Sequence, residues 1–227
     1  MIVESNFTSE YFEKRVGNDM ARISSFKRER KWLCKSLGLN NLAGLRVLDI
    51  GCSTGEFALN VLHDCEIVYG IEPSDYAAGL AAENGLEMIE KIDQLKNEAV
   101  DLVIYRGTIQ YIHDPFVNIA AAYEALRDGG YIVFLATPNT RSIYYLLFGD
   151  LPFLEKGLMY WVPSAPSLTE YLGVRGFKIL KVVFPYFRTP YADPLKDVYM
   201  FAKKLMTRDK SIKFPFPGNV VEIVAKK

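Results

Sequence analysis

Histidine and cysteine are scarce in this chain, and an excess of charge of either sign is absent. Among 227 residues there are two histidines and three cysteines. Cys34, Cys52 and Cys65 are odd in number, widely spaced and include no Cys-x-x-Cys pair. That excludes a disulfide framework or a cysteine zinc site and points to reduced thiols in a cytoplasmic protein. His63 and His113 have no cluster of ligating residues around them, so no metal is expected. Lysine plus arginine and aspartate plus glutamate balance at 27 each, which leaves no bulk field to draw the chain onto nucleic acid. No apolar run reaches the length of a membrane span, and the polar opening (Glu4, Ser5, Asn6, Thr8, Ser9) is unlike a secretion signal. Internal repeats and low-complexity tracts are missing as well. Half of the residues are hydrophobic, enough to build one domain with a large core.

The most informative stretch is Val47-Leu48-Asp49-Ile50-Gly51-Cys52-Ser53-Thr54-Gly55-Glu56-Phe57. It has the pattern of a buried parallel strand, a glycine turn and the first turn of a helix. Gly51 and Gly55 bracket a turn that needs unusual torsions or the close approach of a ligand. Ser53 and Thr54 are suited to cap the following helix, whose free N–H groups favour a carboxylate or phosphate. Asp49 falls at the strand's carboxyl end, where open α/β sheets bind their ligands. A dinucleotide turn of the form G-x-G-x-x-G would need glycines where Ser53 and Glu56 stand, and a carboxylate there opposes a pyrophosphate.

The stretch resembles the first motif of class I S-adenosylmethionine (SAM)-dependent methyltransferases, roughly (V/L)-L-(D/E)-x-G-x-G-x-G, with Ser53 replacing the middle glycine. Later segments extend the resemblance across residues 46–139. Val100–Tyr105 is followed by Gln110-Tyr111-Ile112-His113-Asp114-Pro115, similar to the L-E-H-V-x-D-P segment of small-molecule members. Arg127-Asp128-Gly129-Gly130, a hydrophobic strand from Tyr131 to Ala136 and Thr137-Pro138-Asn139 match a further family signature. The resemblance implies a doubly wound α/β Rossmann-like fold, with a mostly parallel seven-stranded sheet and an antiparallel last strand. It also implies SAM as cofactor, without a metal.

Glu66 to Glu72 completes a βαβ unit. Glu72 stands 21 residues after Gly51, matching the acid that accepts hydrogen bonds from both hydroxyls of an adenosine ribose. It also suits the start of the helix opened by Pro73, and the two roles are compatible. The cofactor contacts implied by the resemblance are Asp49, Gly51, Cys52, Ser53, Gly55, Phe57, Glu72, Pro73, Ile92, Asp93, Arg106, Gly107 and Gln110. Ile92 and Asp93 are the candidates for the adenine side, where the alignment is loose. Near the methyl group, Tyr111 replaces a histidine found in several relatives. Its phenol can orient an acceptor oxygen or offer its ring to the sulfonium, but a pKa near 10 makes it a poor base at neutral pH. His113 is the other catalytic candidate. Asp114 and Pro115 are read as the cap and first residue of the next helix.

The flanks are less specific. Residues 1–44 form an N-terminal helical cap, with Tyr11, Phe12 and Arg22 as possible lid contacts; residues 45–227 form the methyltransferase core. Lys27 to Lys31 reads as the solvated face of the second helix. The aromatic stretch 140–165 covers the active site, lines an acceptor pocket, packs on the core, or makes a dimer or membrane-surface contact. Pro166–Leu172 reads as a helix with Ser167 and Glu170 as its capping box. Asp193–Met206 reads as an amphipathic helix within an insertion over 188–218, before a last strand at Val220–Ala225. The end of the chain resembles methyltransferases of bacterial surface-polysaccharide systems. The implied function is methyl transfer to a small-molecule or sugar-linked acceptor, with oxygen as the expected atom, by a monomer or homodimer. A SAM-binding module without catalysis is the alternative, motivated by the altered Gln110–Tyr111 pair.

Overall fold

The computed structural model describes residues 20–95, 99–152, 154, 159–189 and 191–227, with side chains from residue 24 onward. Helix α1 (Met20–Leu37) precedes strand β1 (Arg46–Ile50), helix α2 (Glu56–Val61) and strand β2 (Ile67–Ile71). Helix α3 (Asp75–Glu83) leads to the two-residue strand β3 (Glu87–Met88) and a 3-10 turn over Ile92–Gln94. Strand β4 (Val100–Arg106), a 3-10 turn over Ile109–Tyr111, helix α4 (Pro115–Ala125) and strand β5 (Leu126–Pro138) follow. The remainder is α5 (Ile143–Phe148), α6 (Ala165–Val174), β6 (Lys178–Val183), α7 (Pro194–Thr207) and β7 (Val220–Lys226).

The seven strands form one sheet in the order β3-β2-β1-β4-β5-β7-β6. Pairings among β1 to β5 are parallel, and β7 runs antiparallel to both β5 and β6. The chain direction of successive crossovers reverses between β1 and β4, so a crevice opens at their carboxyl ends. Alternation along β1 divides the core. Leu48 and Ile50 pack on the side of α4 and α6. Val47 faces the other side, with Phe26, Leu33 and Leu37 of α1. A third cluster, centred on Tyr144, Leu151, Leu154, Ile212 and Phe214, joins α5 to the segment around α7.

Several local expectations are corrected. Neither Ser53 nor Thr54 caps α2; its N-cap is Gly55, left-handed at φ 75°, with no side-chain cap. Thr54 is buried, and its carbonyl accepts from Asn84 Nδ2. Asp114 precedes Pro115 as predicted, but its carboxylate makes no cap bond. The cap of α6 is Ser164, bonded reciprocally with Ser167. Strand β5 begins at Leu126, which pairs with Val100; the register then jumps to Leu102 with Tyr131, so the Gly129-Gly130 stretch is a bulge within the strand. No helix among the described residues is long and apolar enough to cross a membrane.

Candidate cofactor site

Backbone strain is concentrated where the sheet ends. Three non-glycine residues among those described adopt positive φ, and two of them, Ser53 (53°) and Ala136 (48°), lie at the carboxyl ends of β1 and β5. Left-handed torsions cost an L-residue about 1–2 kcal/mol and persist where surrounding structure holds them. Ser53 occupies the place where the methyltransferase motif has its middle glycine, and its φ of 53° lies in the region that favours glycine. Gly51, at φ 72°, has a second requirement: a Cβ there would lie 2.3 Å from Thr108 Cγ2.

The turn is fastened to β2 and to Glu72. The amides of Gly51 and Cys52 donate to the Ile71 carbonyl at 2.7 and 3.2 Å. The Ser53 amide donates to Glu72 Oε2 at 3.0 Å, and the Ser74 amide donates to Oε1 at 3.1 Å. Each carboxylate oxygen can accept another bond, so a pair of cis hydroxyls still fits. Burial pushes the Glu72 carboxyl up, and the two amides oppose that shift. The glycine turn and the acid, separated in sequence, thus form one cradle.

Asp49 sits beneath it, 2% exposed. Its Oδ1 has no hydrogen-bond partner among the described residues. Burial, with a smaller contribution from Glu72, pushes its carboxyl up to about 7 against the pull of Arg106. A buried acid with an orphaned oxygen suits a cationic ligand, and SAM carries a sulfonium and an ammonium. This fit has a measurable cost. The folded state retains a proton that unfolded Asp49 gives up near pH 4, so stability falls as pH rises from about 4 to about 7. Asp49→Asn is expected to stabilise the ligand-free protein at about pH 8 by roughly 1–3 kcal/mol, with little gain near pH 4. Urea denaturation at the two pH values measures the difference; an equal gain at both would refute the protonation account.

Arg106, predicted as a cofactor contact, is engaged by α1. Its Nε and Nη2 donate to the two Glu29 oxygens at 3.1 Å each. Its guanidinium lies 5.4 Å from the Phe26 ring centroid and 5.1 Å from that of Phe57. Phe57 is buried in the α1-side core and meets Phe26 edge-on. Glu222 on β7 pairs with Arg188, which stacks on Trp32. Burial pushes the Glu222 carboxyl up to about 7, with Arg188 pulling the other way. These charges were individually visible in sequence, but nothing local indicated that α1 and β7 would bring them together.

The other predicted residues divide between core, cleft and surface. Cys52 is buried in the α1-side core, and burial pushes its thiol well above its usual value. Gly55 packs α2 against α3: a Cβ there would lie 3.0 Å from the Ala81 backbone. Pro73 is half-buried beside the cradle; Ile92 is buried in the α4-side core and Asp93 is exposed. Gly107 donates to Leu135 O, and its carbonyl accepts from Gln110 Nε2 at 2.8 Å. Gln110 is buried, and its Oε1 has no partner among the described residues. Tyr111 is half-buried in the adjoining 3-10 turn. The His113 side chain is 63% exposed, with its ring edge-on to Tyr160 at 4.8 Å. The expected lid contacts Tyr11, Phe12 and Arg22 lie outside the described residues.

A family model described as a methyltransferase domain matches residues 19–182. The chain belongs to this methyltransferase family. It is a member of the class I SAM-dependent superfamily, with SAM as its cofactor. A tRNA U34 carboxymethyltransferase from Desulfotalea psychrophila is 30% identical over 166 residues, covering 68% of this chain and 52% of the relative. A ubiquinone biosynthesis O-methyltransferase from Aromatoleum aromaticum is 31% identical over 125 residues, 51% of this chain and 52% of the relative. This methyltransferase therefore spans about half the length of the curated relatives it matches. Among solved structures, a magnesium protoporphyrin IX methyltransferase from Synechocystis, with bound SAH, has the same fold. Its TM-score is 0.65 at 16% identity, over 99% of this chain and 97% of the other.

Proposed function

We propose that the chain transfers the methyl group of SAM to an oxygen of a small-molecule or sugar-linked acceptor held beneath segment 140–165. The observation supporting this reading is that the amides of Tyr160 and Trp161 both donate to the Gln110 carbonyl, at 3.0 and 3.4 Å. Tyr160 and Trp161 are thereby seated on the turn that follows β4. Bound SAM would supply an electrophilic methyl on a positively charged sulfur, with a neutral thioether as leaving group and the acceptor's hydroxyl proton released to water. The Glu72 cradle holds the ribose hydroxyls, Asp49 compensates positive charge, and Gln110 offers an unused acceptor in the buried wall. Tyr111 orients the acceptor oxygen through its phenol. His113, exposed and outside this wall, is the weaker catalytic candidate. With no buried histidine at the cleft, the rate comes from alignment of the acceptor, an effect worth up to about 7–11 kcal/mol in well-oriented systems.

A second reading, an RNA acceptor, is favoured by a groove on α1 lined by Lys27, Arg30, Lys31 and Lys35. Arg30 is held there by a bidentate bond to Asp64 at 2.9 and 2.6 Å. Calorimetry with SAM, followed by transfer of labelled methyl to sugars, phenols and total tRNA, tests both readings. SAM binding with label on a sugar or phenol supports the first. Label on tRNA alone establishes the second, and SAM binding without transfer to any acceptor class favours the non-catalytic alternative.

A further inference from the structure

Helix α7 turns Asp197 and Lys204 inward beside Met200 and Phe201, and leaves a separate stripe of apolar side chains facing outward. Asp197 and Lys204 are 4% and 2% exposed. Asp197 Oδ2 accepts from the Tyr186 hydroxyl at 2.6 Å, and Lys204 Nζ donates to the Tyr144 hydroxyl at 2.6 Å and the Ile212 carbonyl at 2.9 Å. Outside, Leu195 is 88% exposed, Val198 67%, Tyr199 64% and Met206 79%. At about 100° per residue, these four side chains and Leu205 share one arc of about 120°, bordered on one side by Lys203 and Lys196. The amphipathic helix predicted from sequence is present, but only Met200 and Phe201 pack against the Tyr144 cluster, and the wider apolar arc is turned away from the protein.

Helix α5 extends the same surface. Its Ile143 and Leu146 are 62% and 65% exposed, and Arg208 Nη1 donates to the Leu147 carbonyl at 3.4 Å, joining the ends of the two helices. Because α5 follows β5 and α7 follows β6, both lie toward the end of the sheet that carries Gly51 and Glu72. The surrounding exposed charge is mainly positive: Lys196, Lys203, Arg208, Lys210 and Lys213, against Asp193 and Asp209.

We infer that the α5–α7 face docks this protein on an anionic phospholipid bilayer, with the cofactor end of the sheet nearest the membrane. An apolar stripe edged by lysines lies in the interface plane of a bilayer, where lysine stems follow the acyl boundary and their ammonium groups reach the phosphates. A second copy of the chain is the poorer occupant. A two-fold interface would set this basic border against itself, and like charges across an interface oppose association. The inference does not depend on the proposed acceptor, and SAM calorimetry tests that reading separately.

Co-sedimentation of the full chain with phosphatidylcholine vesicles, with and without phosphatidylglycerol, tests the docking. Tighter partition onto the anionic vesicles is expected. The double substitution Val198→Asp/Met206→Asp should lower it at least about tenfold, and Lys203→Gln about fivefold at low salt. All three side chains are exposed, so circular dichroism and SAM affinity should be retained. In a Tyr199→Trp variant, added tryptophan fluorescence quenched by brominated acyl chains provides a positive readout that requires no loss of function. Absence of wild-type partition would overturn the inference. Equal partition of the double variant would do so as well, as would a solution dimer that the same substitution dissociates without any lipid binding.

Discussion

Replacing Glu72 by alanine is expected to weaken SAM binding about 10- to 100-fold, since hydrogen bonds to a charged group contribute about 1.5–3 kcal/mol. The geometry makes the effect larger than the loss of one ligand contact. Glu72 also accepts the Ser53 and Ser74 amides, so alanine both removes the proposed ribose acceptor and releases the left-handed turn at Ser53. Glu72→Gln should be intermediate. Its single oxygen can keep one of the two amides, while its NH2 group turns a donor toward the other. Calorimetry gives the affinities and thermal unfolding gives the stability cost. If both variants bind SAM as tightly as the wild type, Glu72 is only a structural clamp between β2 and the glycine turn.

Arg106→Met is expected to destabilise the protein by about 3 kcal/mol, within the range for removing one partner of a buried ion pair. The argument rests on which charges remain. Glu29 loses a bidentate partner, and Asp49 and Glu222 lose a neighbour that favours their ionised forms. Both acids are already shifted up to about 7. Without Arg106 they take up protons at still higher pH, so the penalty should be greater at about pH 8 than at about pH 5. Glu29→Gln should cost less, because it removes a negative charge from a region where acids outnumber the two arginines. Arg106→Lys would not restore the wild type, since an ammonium cannot form the planar fork to Glu29 or the same stacking on Phe26 and Phe57. Chemical denaturation across this pH range measures all three. A loss for Glu29→Gln as large as for Arg106→Met would show that the pair itself, and not the acid cluster, sets the energy.

The two expectations differ in how legible their residues were. Glu72 was assigned from its position at the end of a β-run, a fixed distance beyond a glycine turn. The structure puts it beside that turn because βαβ geometry confines the carboxyl ends of adjacent strands to one side of the sheet. Arg106 was placed at the correct end of β4 by the same logic, but its partner lies 77 residues away on α1. A long cation at a strand end can turn toward the cleft or toward a covering helix, and local sequence does not distinguish the two.

The sequence by itself determined the βαβ frame and the position of the glycine turn and its acid, because these are written in short-range periodicity and spacing, and its motifs resembled those of the family to which the chain belongs. Tertiary structure alone decided that Ser53 takes a left-handed torsion, that Asp49 Oδ1 has no hydrogen-bond partner among the described residues, that His113 is exposed, and that α7 turns Lys204 and Asp197 inward. Those outcomes depend on burial and on partners supplied by distant segments. Hydrophobic periodicity shows that a helix has two faces; which face becomes the inner one depends on the hydrogen bonds waiting there, and for α7 these come from Tyr144, Tyr186 and the Ile212 carbonyl.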